Sequence, residues 1–337
     1  MRTYYFSAFI FSLLGSLLLT PLAISLAEKH RVYDRPDKKR KVHRHFIPRW
    51  GGLGLYLALV GGVLGLIGFS RIRALLGEFE GLLAHQLAGI FVGSTIVVIL
   101  GMIDDKRGVR PTVKLAFQII AVLVVTNYGV KITGLNIRGL GIHLRFSTTT
   151  AIIITTFWLL GFMNTVNLAD GLDGLAAGIV AIASAVFCVV AALQGAQADP
   201  LLTVQLKLSA LLAAAVSGAC LGFLYYNFYP AACFMGDTGS MLLGFLLGTI
   251  TVIGTMKTTA LLALLTPVIV VALPILDVLF AIARRFRKKS SVMEADKNHI
   301  HHKLLRSGWT QREVVLLMYN VTLLLGIVAI LLVILKR

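Results

Sequence analysis

The sequence predicts an all-α protein that crosses a membrane about ten times, because apolar runs of roughly 20 residues recur along the chain. Two further observations support this fold class. The chain of 337 residues is 57% hydrophobic and only 14% charged, with a mean hydropathy of +0.86. A typical soluble domain has about 25% charged residues, so the composition excludes a soluble globular protein and a disordered one. The Lys and Arg residues also lie mostly between the apolar runs, as such residues do in the loops that connect membrane helices.

The apolar runs predict ten spans within a single membrane domain over residues 1–337. The first run exceeds the apolar part of an ordinary signal peptide and is interpreted as a spanning helix. The fifth and eighth runs are short, and we expect both helices to continue into the polar motifs at their ends. The predicted spans are Tyr4–Leu26, Leu53–Phe69, Gln86–Ile103, Val113–Tyr128, Thr149–Met163, Gly174–Leu193, Leu201–Tyr226, Ser240–Ile253, Ala260–Ala283 and Glu313–Ile334.

The basic residues predict which side of the membrane each loop faces. With alternating spans, 22 of the 32 Lys and Arg residues fall on one side, in loops from Ala27 to Trp50, Lys106 to Lys114 and Arg284 to Arg312. Cytoplasmic loops are enriched in such residues, so we expect these loops inside and both termini outside. In a soluble protein the net charge of +17 would suggest nucleic acid as partner. Here the charge predicts topology, and no nucleic acid partner is expected.

The loop from Gly129 to Ser147 lies on the predicted outer side. It alternates apolar and polar residues, with glycines between them. Such alternation is typical of strands and predicts a small outer β-hairpin.

Two adjacent carboxylates, Asp104 and Asp105, stand where the third span ends, and Lys114 follows in the next helix. One interpretation makes either aspartate a cap for the fourth helix. The other is functional, because the repulsion between two neighbouring carboxylates requires a cation or a proton nearby. This run alone leaves both interpretations open.

Four polar residues recur at every third position after the fifth span: Asn164, Asn167, Asp170 and Asp173. On a regular helix this spacing would turn them away from one another, whereas an unwound or 3₁₀-like segment would align them. Gly171 would make such an interruption easy, and irregular backbone at membrane depth is tolerated where it lines a cavity. The alternative is a capped helix start in a loop.

Asp237 stands just before the eighth span, within the run FMGDTGS. It could cap that helix, whose free N–H groups could also hold a phosphate. With Asp170 and Asp173 it brings three carboxylates to one side of the membrane, and the two runs contain no Lys or Arg. Hard oxygen ligands without local cations favour Mg²⁺, which binds through one or two carboxylates and substrate phosphates.

The third basic loop contains three histidines, His299, His301 and His302. Zinc would need further ligands that this run does not supply, and a solvated basic loop is the simpler alternative. Beside so many cations, contact with a diphosphate is favoured over a transition metal.

In this order, the four motifs resemble the polyprenyl-phosphate N-acetylhexosamine-1-phosphate transferases along nearly the whole chain. The matching patterns are the aspartate pair with its downstream lysine, NxxNxxDGxDG, FMGDxGS and the histidine run. Within that family, DKNHIHH and the first loop, RPDKKRKVHRHFIPRWGG, are similar to the bacterial undecaprenyl-phosphate N-acetylglucosamine-1-phosphate transferases. The phospho-N-acetylmuramoyl-pentapeptide translocases carry three contiguous histidines, whereas Ile300 interrupts them here.

The resemblance implies a role for each matching residue. The aspartate pair would activate the lipid phosphate, and the histidines would lie near the diphosphate and sugar. The expected catalytic residues are Asp104, Asp105, Asp237, His299, His301 and His302. The expected substrate-binding residues are Lys114, Asn164, Asn167, Asp170, Asp173, Asn227, Phe234 and Arg44, with Phe234 stacking on uracil. The expected magnesium ligands are Asp237 and Asp173.

The implied reaction is attack by a lipid phosphate oxygen on the β-phosphorus of UDP-N-acetylglucosamine, which expels UMP. Mg²⁺, with Mn²⁺ as a substitute, would neutralise the developing charge, and undecaprenyl phosphate would be the acceptor. The resemblance also implies a bacterial plasma membrane, a site on its cytoplasmic face and a homodimer as a further option. The alternatives are UDP-MurNAc-pentapeptide or another UDP-N-acetylhexosamine as donor and, in a different class, a cation-coupled transporter with a broken helix.

Overall fold

The computed structural model describes residues 2–34, 46–67, 80–137, 142–195, 200–255, 272, 275–276 and 300–335. The helices are α1 (Arg2–Lys29), α2 (Gly51–Ile67), α3 (Glu80–Arg107), α4 (Pro111–Asn127), α5 (Thr148–Ala169), α6 (Leu175–Gln194), α7 (Pro200–Asn227), α8 (Gly236–Thr255), α9 (Ile300–Arg306) and α10 (Gln311–Leu335). Two short antiparallel ribbons accompany them, β1 (Tyr33–Asp34) with β2 (Ile47–Pro48) and β3 (Gly134–Ile137) with β4 (Ile142–Arg145).

Seven of the described helices are long and apolar enough to cross a membrane, namely α1, α3, α5, α6, α7, α8 and α10. The helices α2 and α4 are also apolar but shorter. The predicted all-α polytopic membrane fold is therefore confirmed. The predicted ninth span, Ala260–Ala283, lies outside the described residues except for positions 272, 275 and 276. Each of the other predicted spans overlaps one of these helices.

The fifth and eighth spans continue into the adjoining polar motifs, as predicted. α8 begins at Gly236, four residues before the predicted start, so Asp237 lies inside its first turn. α5 continues to Ala169, so Asn164 and Asn167 lie on a regular helix. The prediction of an unwound segment through all four polar residues is wrong for these two asparagines. The helical hydrogen bonds hold up to Ala169, and only the glycine-flanked residues 170–174 leave the helix.

The predicted hairpin between Gly129 and Ser147 is confirmed. β3 pairs antiparallel with β4, with Gly134 opposite Arg145 and Ile137 opposite Ile142. The carbonyl of Thr133 accepts a hydrogen bond from the N–H of Phe146 at 3.0 Å and extends the pairing.

The helices α7 and α8 form the centre of the described bundle. In their most apolar stretches 78% of α7 and 94% of α8 is buried, compared with 22% of α1 and 28% of α10. The outer helices therefore keep broad apolar faces for lipid, while α8 is surrounded by protein. Polar groups at the start of α8 consequently contact other parts of the protein rather than the bilayer.

Glycines bring α2 and α3 into backbone contact with the start of α8. A Cβ atom on Gly101 would overlap the backbone of Thr238, and a Cβ atom on Gly52 would overlap that of Gly239. Asp105 follows Gly101 by four residues and so lies on the same face of α3. This close approach places Asp105 at the N-terminus of α8.

Candidate active site

The ends of α3, α5 and α7 meet the starts of α4, α6 and α8 at one end of the bundle, called here the site end. Side-chain contacts at the site end join segments that are far apart in sequence. Lys114 and Asn167 both reach Asp237, and Asp105 reaches Thr238. The fold thus brings the first three sequence motifs into one site.

Lys114 bridges two carboxylates at the site end. Its Nζ atom lies 2.5 Å from Asp104 Oδ2 and also contacts Asp237 Oδ2. We call these three residues the carboxylate–lysine cluster. Their side chains stay partly accessible, at 22% for Lys114, 10% for Asp104 and 20% for Asp237. The lysine offsets the repulsion between the carboxylates, so the sequence-based premise that no cation is local to Asp237 is wrong in the folded chain.

Asp104 is anchored by the turn that follows α3. Its Oδ1 atom accepts a hydrogen bond from the backbone N–H of Val109 at 2.6 Å. The fourth helix has Arg110 at its N-cap position and no side-chain cap. The interpretation of Asp104 or Asp105 as a cap for that helix is therefore wrong, because Pro111 already starts the helix without an N–H group to satisfy.

The two asparagines of α5 have different partners. The Asn167 amide donates hydrogen bonds to Asp237 Oδ1 at 3.1 Å and to Ser240 Oγ at 2.8 Å. The Asn164 amide donates to the carbonyl of Leu160 at 2.8 Å and to Gln118 Oε1 at 3.4 Å. Asn167 therefore orients the Asp237 carboxylate directly, whereas Asn164 lies nearly one helical turn further from the site end.

Asp170 occupies the C-cap position of α5, where the chain enters the turn 170–174. Burial raises the pKa of this carboxyl to about 8, the negative charge of Asp237 acts in the same direction, and Arg49 opposes both. A carboxyl group that keeps its proton near neutral pH can donate a hydrogen bond, which an ionised carboxylate cannot. Asp170 is thus the described site residue best placed to donate from a carboxyl group.

The turn after Asp170 is held by one of its own side chains, Asp173, and by two from elsewhere, Asn227 and Tyr319. Asp173 Oδ2 accepts from the N–H of Ala231 at 3.0 Å. Asn227 is 2% exposed, and its Oδ1 atom accepts from the N–H of Gly174 at 3.1 Å. The Tyr319 hydroxyl donates to the carbonyl of Gly174 at 2.5 Å.

Asn227 also links this turn to the loop before α8. Its Nδ2 atom donates to the carbonyl of Cys233 at 2.9 Å, so both ends of the amide are engaged by backbone. The structure places Asn227 behind the site, between two loops that carry expected substrate-binding residues. Sequence reasoning missed Tyr319, because a lone tyrosine in an apolar helix gives no signal of a partner about 145 residues away.

The first basic loop is joined to the FMGD run by backbone hydrogen bonds. The N–H of Phe234 donates to the carbonyl of Pro48 at 2.8 Å, and the N–H of Gly51 donates to the carbonyl of Phe234 at 3.0 Å. Arg49, between these positions, lies 3.7 Å from Asp34 and 3.5 Å from Asp105. Burial would lower the pKa of Arg49, but Asp105 and Asp34 together raise it. In the sequence Arg49 is one of several basic residues in the first loop, whereas in the fold it has two acidic partners.

The Asp105 side chain is enclosed by protein, with 0% side-chain exposure. Its Oδ1 atom accepts from the N–H of Asp237 at 2.9 Å. Its Oδ2 atom accepts from the N–H of Thr238 at 3.1 Å and from the Thr238 hydroxyl at 2.7 Å. The prediction that the N–H groups starting this helix are free to hold a phosphate is therefore wrong for residues 237 and 238, because a protein carboxylate takes them.

Acidic side chains cluster at the described site end. Arg49 and Lys114 contact some of its acids, which are Asp34, Asp104, Asp105, Asp170, Asp173 and Asp237. Among the described residues, no three His, Cys, Asp or Glu side chains form a ready-made metal cage. Mg²⁺ requires no such cage, because it binds through one or two carboxylates with substrate phosphates. The partly exposed carboxylate of Asp237 fits that kind of site.

Several expected site residues lie outside the described part of the chain. Arg44 and His299, both in the basic loops, are not among the residues that the structure describes. His301 and His302 fall on α9, but nothing is described of their side chains.

Comparison with known proteins gives matches along most of the chain. The model of glycosyl transferase family 4 matches residues 87–255. A Bacillus subtilis protein named "probable undecaprenyl-phosphate N-acetylglucosaminyl 1-phosphate transferase" is 35% identical over 325 residues, which cover 96% of this chain and 84% of that protein. The decaprenyl-phosphate N-acetylglucosaminephosphotransferase of Mycobacterium leprae is 36% identical over 307 residues, covering 87% and 74%. A phospho-N-acetylmuramoyl-pentapeptide-transferase of Desulforudis audaxviator is 31% identical over 336 residues, covering 93% of each chain.

The matched segment contains most of the site described above. It begins within α3, ends with α8, and includes Asp104, Lys114, Asn167 and Asp237. The relatives extend the match through the first loop and the last helix. The chain therefore belongs to glycosyl transferase family 4 and is a membrane-embedded phospho-sugar transferase.

Proposed function

We propose that this protein transfers N-acetylglucosamine-1-phosphate from UDP-N-acetylglucosamine to undecaprenyl phosphate, with Mg²⁺ as cofactor and UMP as the second product. The observation that carries the proposal is the carboxylate–lysine cluster at the site end, where Lys114 lies between Asp104 and Asp237. Phosphoryl transfer depends mostly on positioning and on electrostatic stabilisation of spread negative charge. A cluster of fixed carboxylates and a lysine at a bundle end offers both for a donor from water and an acceptor from the bilayer.

The bonds that form and break in this reaction suggest a role for each residue of the carboxylate–lysine cluster. An oxygen of the lipid phosphate forms a bond to the β-phosphorus of the donor, and the bond from that phosphorus to the bridging oxygen breaks. UMP leaves with the bridging oxygen. Lys114 would pair with phosphate oxygens, and Asp104, fixed by the Val109 N–H, would orient the attacking phosphate.

Asp237, with Asp173 as a second candidate, would hold Mg²⁺. When bound, Mg²⁺ supplies charge neutralisation on the diphosphate. Asn167 supports this role of Asp237 because it donates to one carboxylate oxygen and to Ser240, which fixes the orientation of the carboxylate. Ligands oriented by such outer partners are the usual arrangement at metal sites.

The nucleoside would bind between the turn 170–174 and the loop before α8. Phe234 is half-buried in that loop and would stack on uracil. Asp170 would donate a hydrogen bond to the nucleotide, which its raised pKa of about 8 supports. Asn227 would fix the two loops at their spacing, and Asn164 would lie on the lipid side of the site. His299, His301, His302 and Arg44 remain proposed contacts to the diphosphate and the donor sugar.

The distribution of basic residues supports the topology of this reaction. The site end carries the loops rich in Lys and Arg, so we place it on the cytoplasmic face, with both termini outside. Cytoplasmic nucleotide sugars would reach it from water, and the lipid acceptor from the inner leaflet of a bacterial plasma membrane. A homodimer is a further prediction, which the mass of the purified protein in detergent or nanodiscs would check.

A donor-preference assay tests the proposed function most directly. The relatives named for N-acetylglucosamine are 35% and 36% identical, compared with 31% for the one named for the muramoyl pentapeptide, which supports the first donor. Purified protein with undecaprenyl phosphate and Mg²⁺ would be given each UDP-sugar separately, and UMP and the lipid product measured. Lipid-linked N-acetylglucosamine phosphate is the expected product. A lipid-linked muramoyl pentapeptide would select the other donor, and no UMP from any UDP-sugar would overturn the proposal.

A further inference from the structure

We propose that Asp105 is a positioning residue that acts through the first turn of α8, and that it does not touch the lipid phosphate. The consequence for transfer rests on the function proposed above. The geometric basis is independent of that function, because it consists of contacts within the protein. The proposal gives Asp104 and Asp105 different roles, whereas the resemblance implies one catalytic role for the pair.

The Asp105 carboxylate has its acceptor positions filled by the protein. The N–H of Asp237 occupies one oxygen, which Arg49 also approaches at 3.5 Å. The N–H and the hydroxyl of Thr238 occupy the other. An ionised carboxylate has about four acceptor sites, so little capacity remains for a substrate proton. With 0% side-chain exposure, this group also lacks a surface on which a lipid phosphate could sit.

The same contacts fix the direction of Asp237. A negative charge at the start of a helix is favourable, and Asp105 provides it from another helix by binding two of the unpaired N–H groups. Because the Asp237 N–H points at Asp105, the Asp237 side chain leaves the backbone towards Lys114 and Asn167. Asp105 thus sets the orientation of the carboxylate that is the proposed metal ligand.

The close approach of Asp105 depends on Gly236. This glycine has a φ of +67°, and a Cβ atom there would meet Asp105 Oδ2 and the carbonyl oxygen of Arg49. Any other residue would have to adopt a left-handed backbone and displace the carboxylate. Gly129 offers a matched comparison, because it has a φ of +87° and open space around the position of a Cβ atom.

The test changes Thr238, which is buried and binds Asp105 through its hydroxyl. Thr238→Val and Thr238→Ala remove the hydroxyl, and Thr238→Ser restores it. Thr251→Val is the matched control, since Thr251 is a buried threonine on the same helix whose partners, Trp158 and Gly248, lie away from the site end. The full chain in detergent would be assayed for Mn²⁺ binding without substrates, for UMP release and for unfolding temperature.

Loss of a partner that orients a metal ligand typically costs 10–100-fold in metal affinity or activity, so we expect Thr238→Val and Thr238→Ala to weaken Mn²⁺ binding by roughly 10-fold. Transfer should fall in parallel, Thr238→Ser should recover most of both, and Thr251→Val should match the wild type. Asp105→Asn and Gly236→Ala should show the same weakening of Mn²⁺ binding, whereas Gly129→Ala should not. If Thr238→Val fails to fold, the alanine variant and the glycine pair still decide.

The opposite result has a distinct pattern. If both Thr238 variants bind Mn²⁺ and release UMP like the wild type while Asp105→Asn loses turnover, then Asp105 acts on the substrate and the positioning role is wrong. If the wild type releases UMP but binds no Mn²⁺, this inference is wrong and the proposed transfer reaction is unaffected. A wild type that binds Mn²⁺ but releases no UMP would overturn the proposed function, and the Thr238 series would still decide the role of Asp105.

Discussion

The first turn of α8 has two faces that differ in how their polar groups are satisfied. On the face towards α3, Asp105 is fully buried and is saturated by donors from residues 237 and 238. On the face towards α4 and α5, Asp237 is partly exposed and shares Lys114 with Asp104. We call these the closed face and the open face. The closed face is complete within the protein, whereas the open face has oxygens left for a ligand.

The difference shows how two neighbouring aspartates can do different work. Successive residues on a helix point about 100° apart, so Asp104 and Asp105 cannot face the same partner. Asp105 turns towards α8, on the side where Gly101 allows contact, and Asp104 turns towards Lys114. An aspartate pair in sequence therefore becomes one positioning group and one group that is available to substrate.

Removal of divalent cations should have the largest effect on transfer, and it should act only through the groups of the open face. With a chelator present we expect UMP release to stop, and added Mg²⁺ or Mn²⁺ should restore it. The unfolding temperature should change little, because the closed face is held by protein groups alone. Turnover that survives chelation would show that the open face works without a metal ion.

Replacing Asp237 by Asn should be nearly as severe. The amide keeps an oxygen for the Asn167 hydrogen bond but loses the charge that a metal ion requires. We expect transfer to fall on the order of 10³-fold, because several kcal/mol of electrostatic stabilisation are lost. The rate of UMP release and the unfolding temperature would be measured together. Full activity in a folded variant would remove Asp237 from the metal site.

Lys114→Met should have an intermediate effect that sharpens the contrast between the faces. Without the ammonium group, Asp104 and Asp237 repel each other and a phosphate loses its cation, so we expect roughly 10²-fold slower transfer at fixed Mg²⁺. Lys131→Met serves as the control, since Lys131 lies in the loop that leads into β3, away from the site end. Raising the Mg²⁺ concentration should recover part of the rate only for the Lys114 variant. Equal rates in both variants would contradict a role for Lys114.

Asp170→Asn should have the smallest effect of these changes. It should alter how the stability of the folded protein depends on pH. Because the pKa of Asp170 is raised to about 8, the folded state holds its proton more tightly than the unfolded chain does. That contribution to stability is fully present below a pH of about 4 and is lost as pH rises through about 8. The unfolding temperature of the variant should therefore rise relative to that of the wild type as pH increases across this range. Unfolding scans at several pH values would measure the gap, and a gap independent of pH would contradict the shift.

The fold class and most spans could be predicted because apolar length is a local property of the sequence. The hairpin followed from alternation, and the candidate site residues were proposed from motif spacing and resemblance. The pairing of the site could not be predicted in the same way. Lys114 reaches Asp237 across 123 positions, and Asp105 meets Thr238 across 133, through helix contacts that no local pattern encodes.

The errors have a common physical cause. Each sequence motif was interpreted by its own neighbours, so Asp237 was expected in a pocket without cations and its helix with N–H groups available to a phosphate. The fold supplied Lys114 from α4 and Asp105 from α3. Glycines at 52, 101 and 236 are the residues that permit these approaches, and their importance shows only when the helices are packed.

The hydrogen bond from Tyr319 to Gly174 bears on how the protein is made. Gly174 belongs to the turn that carries Asp170 and Asp173, and Tyr319 belongs to α10, 145 positions further along the chain. A Cβ atom on Gly178 would also overlap the Tyr319 ring, so this side chain fills a notch in α6. Until α10 has entered the membrane, that notch is empty and the turn lacks one of its anchors. The turn 170–174 thus acquires all of its described contacts only after α10 has been synthesised and inserted.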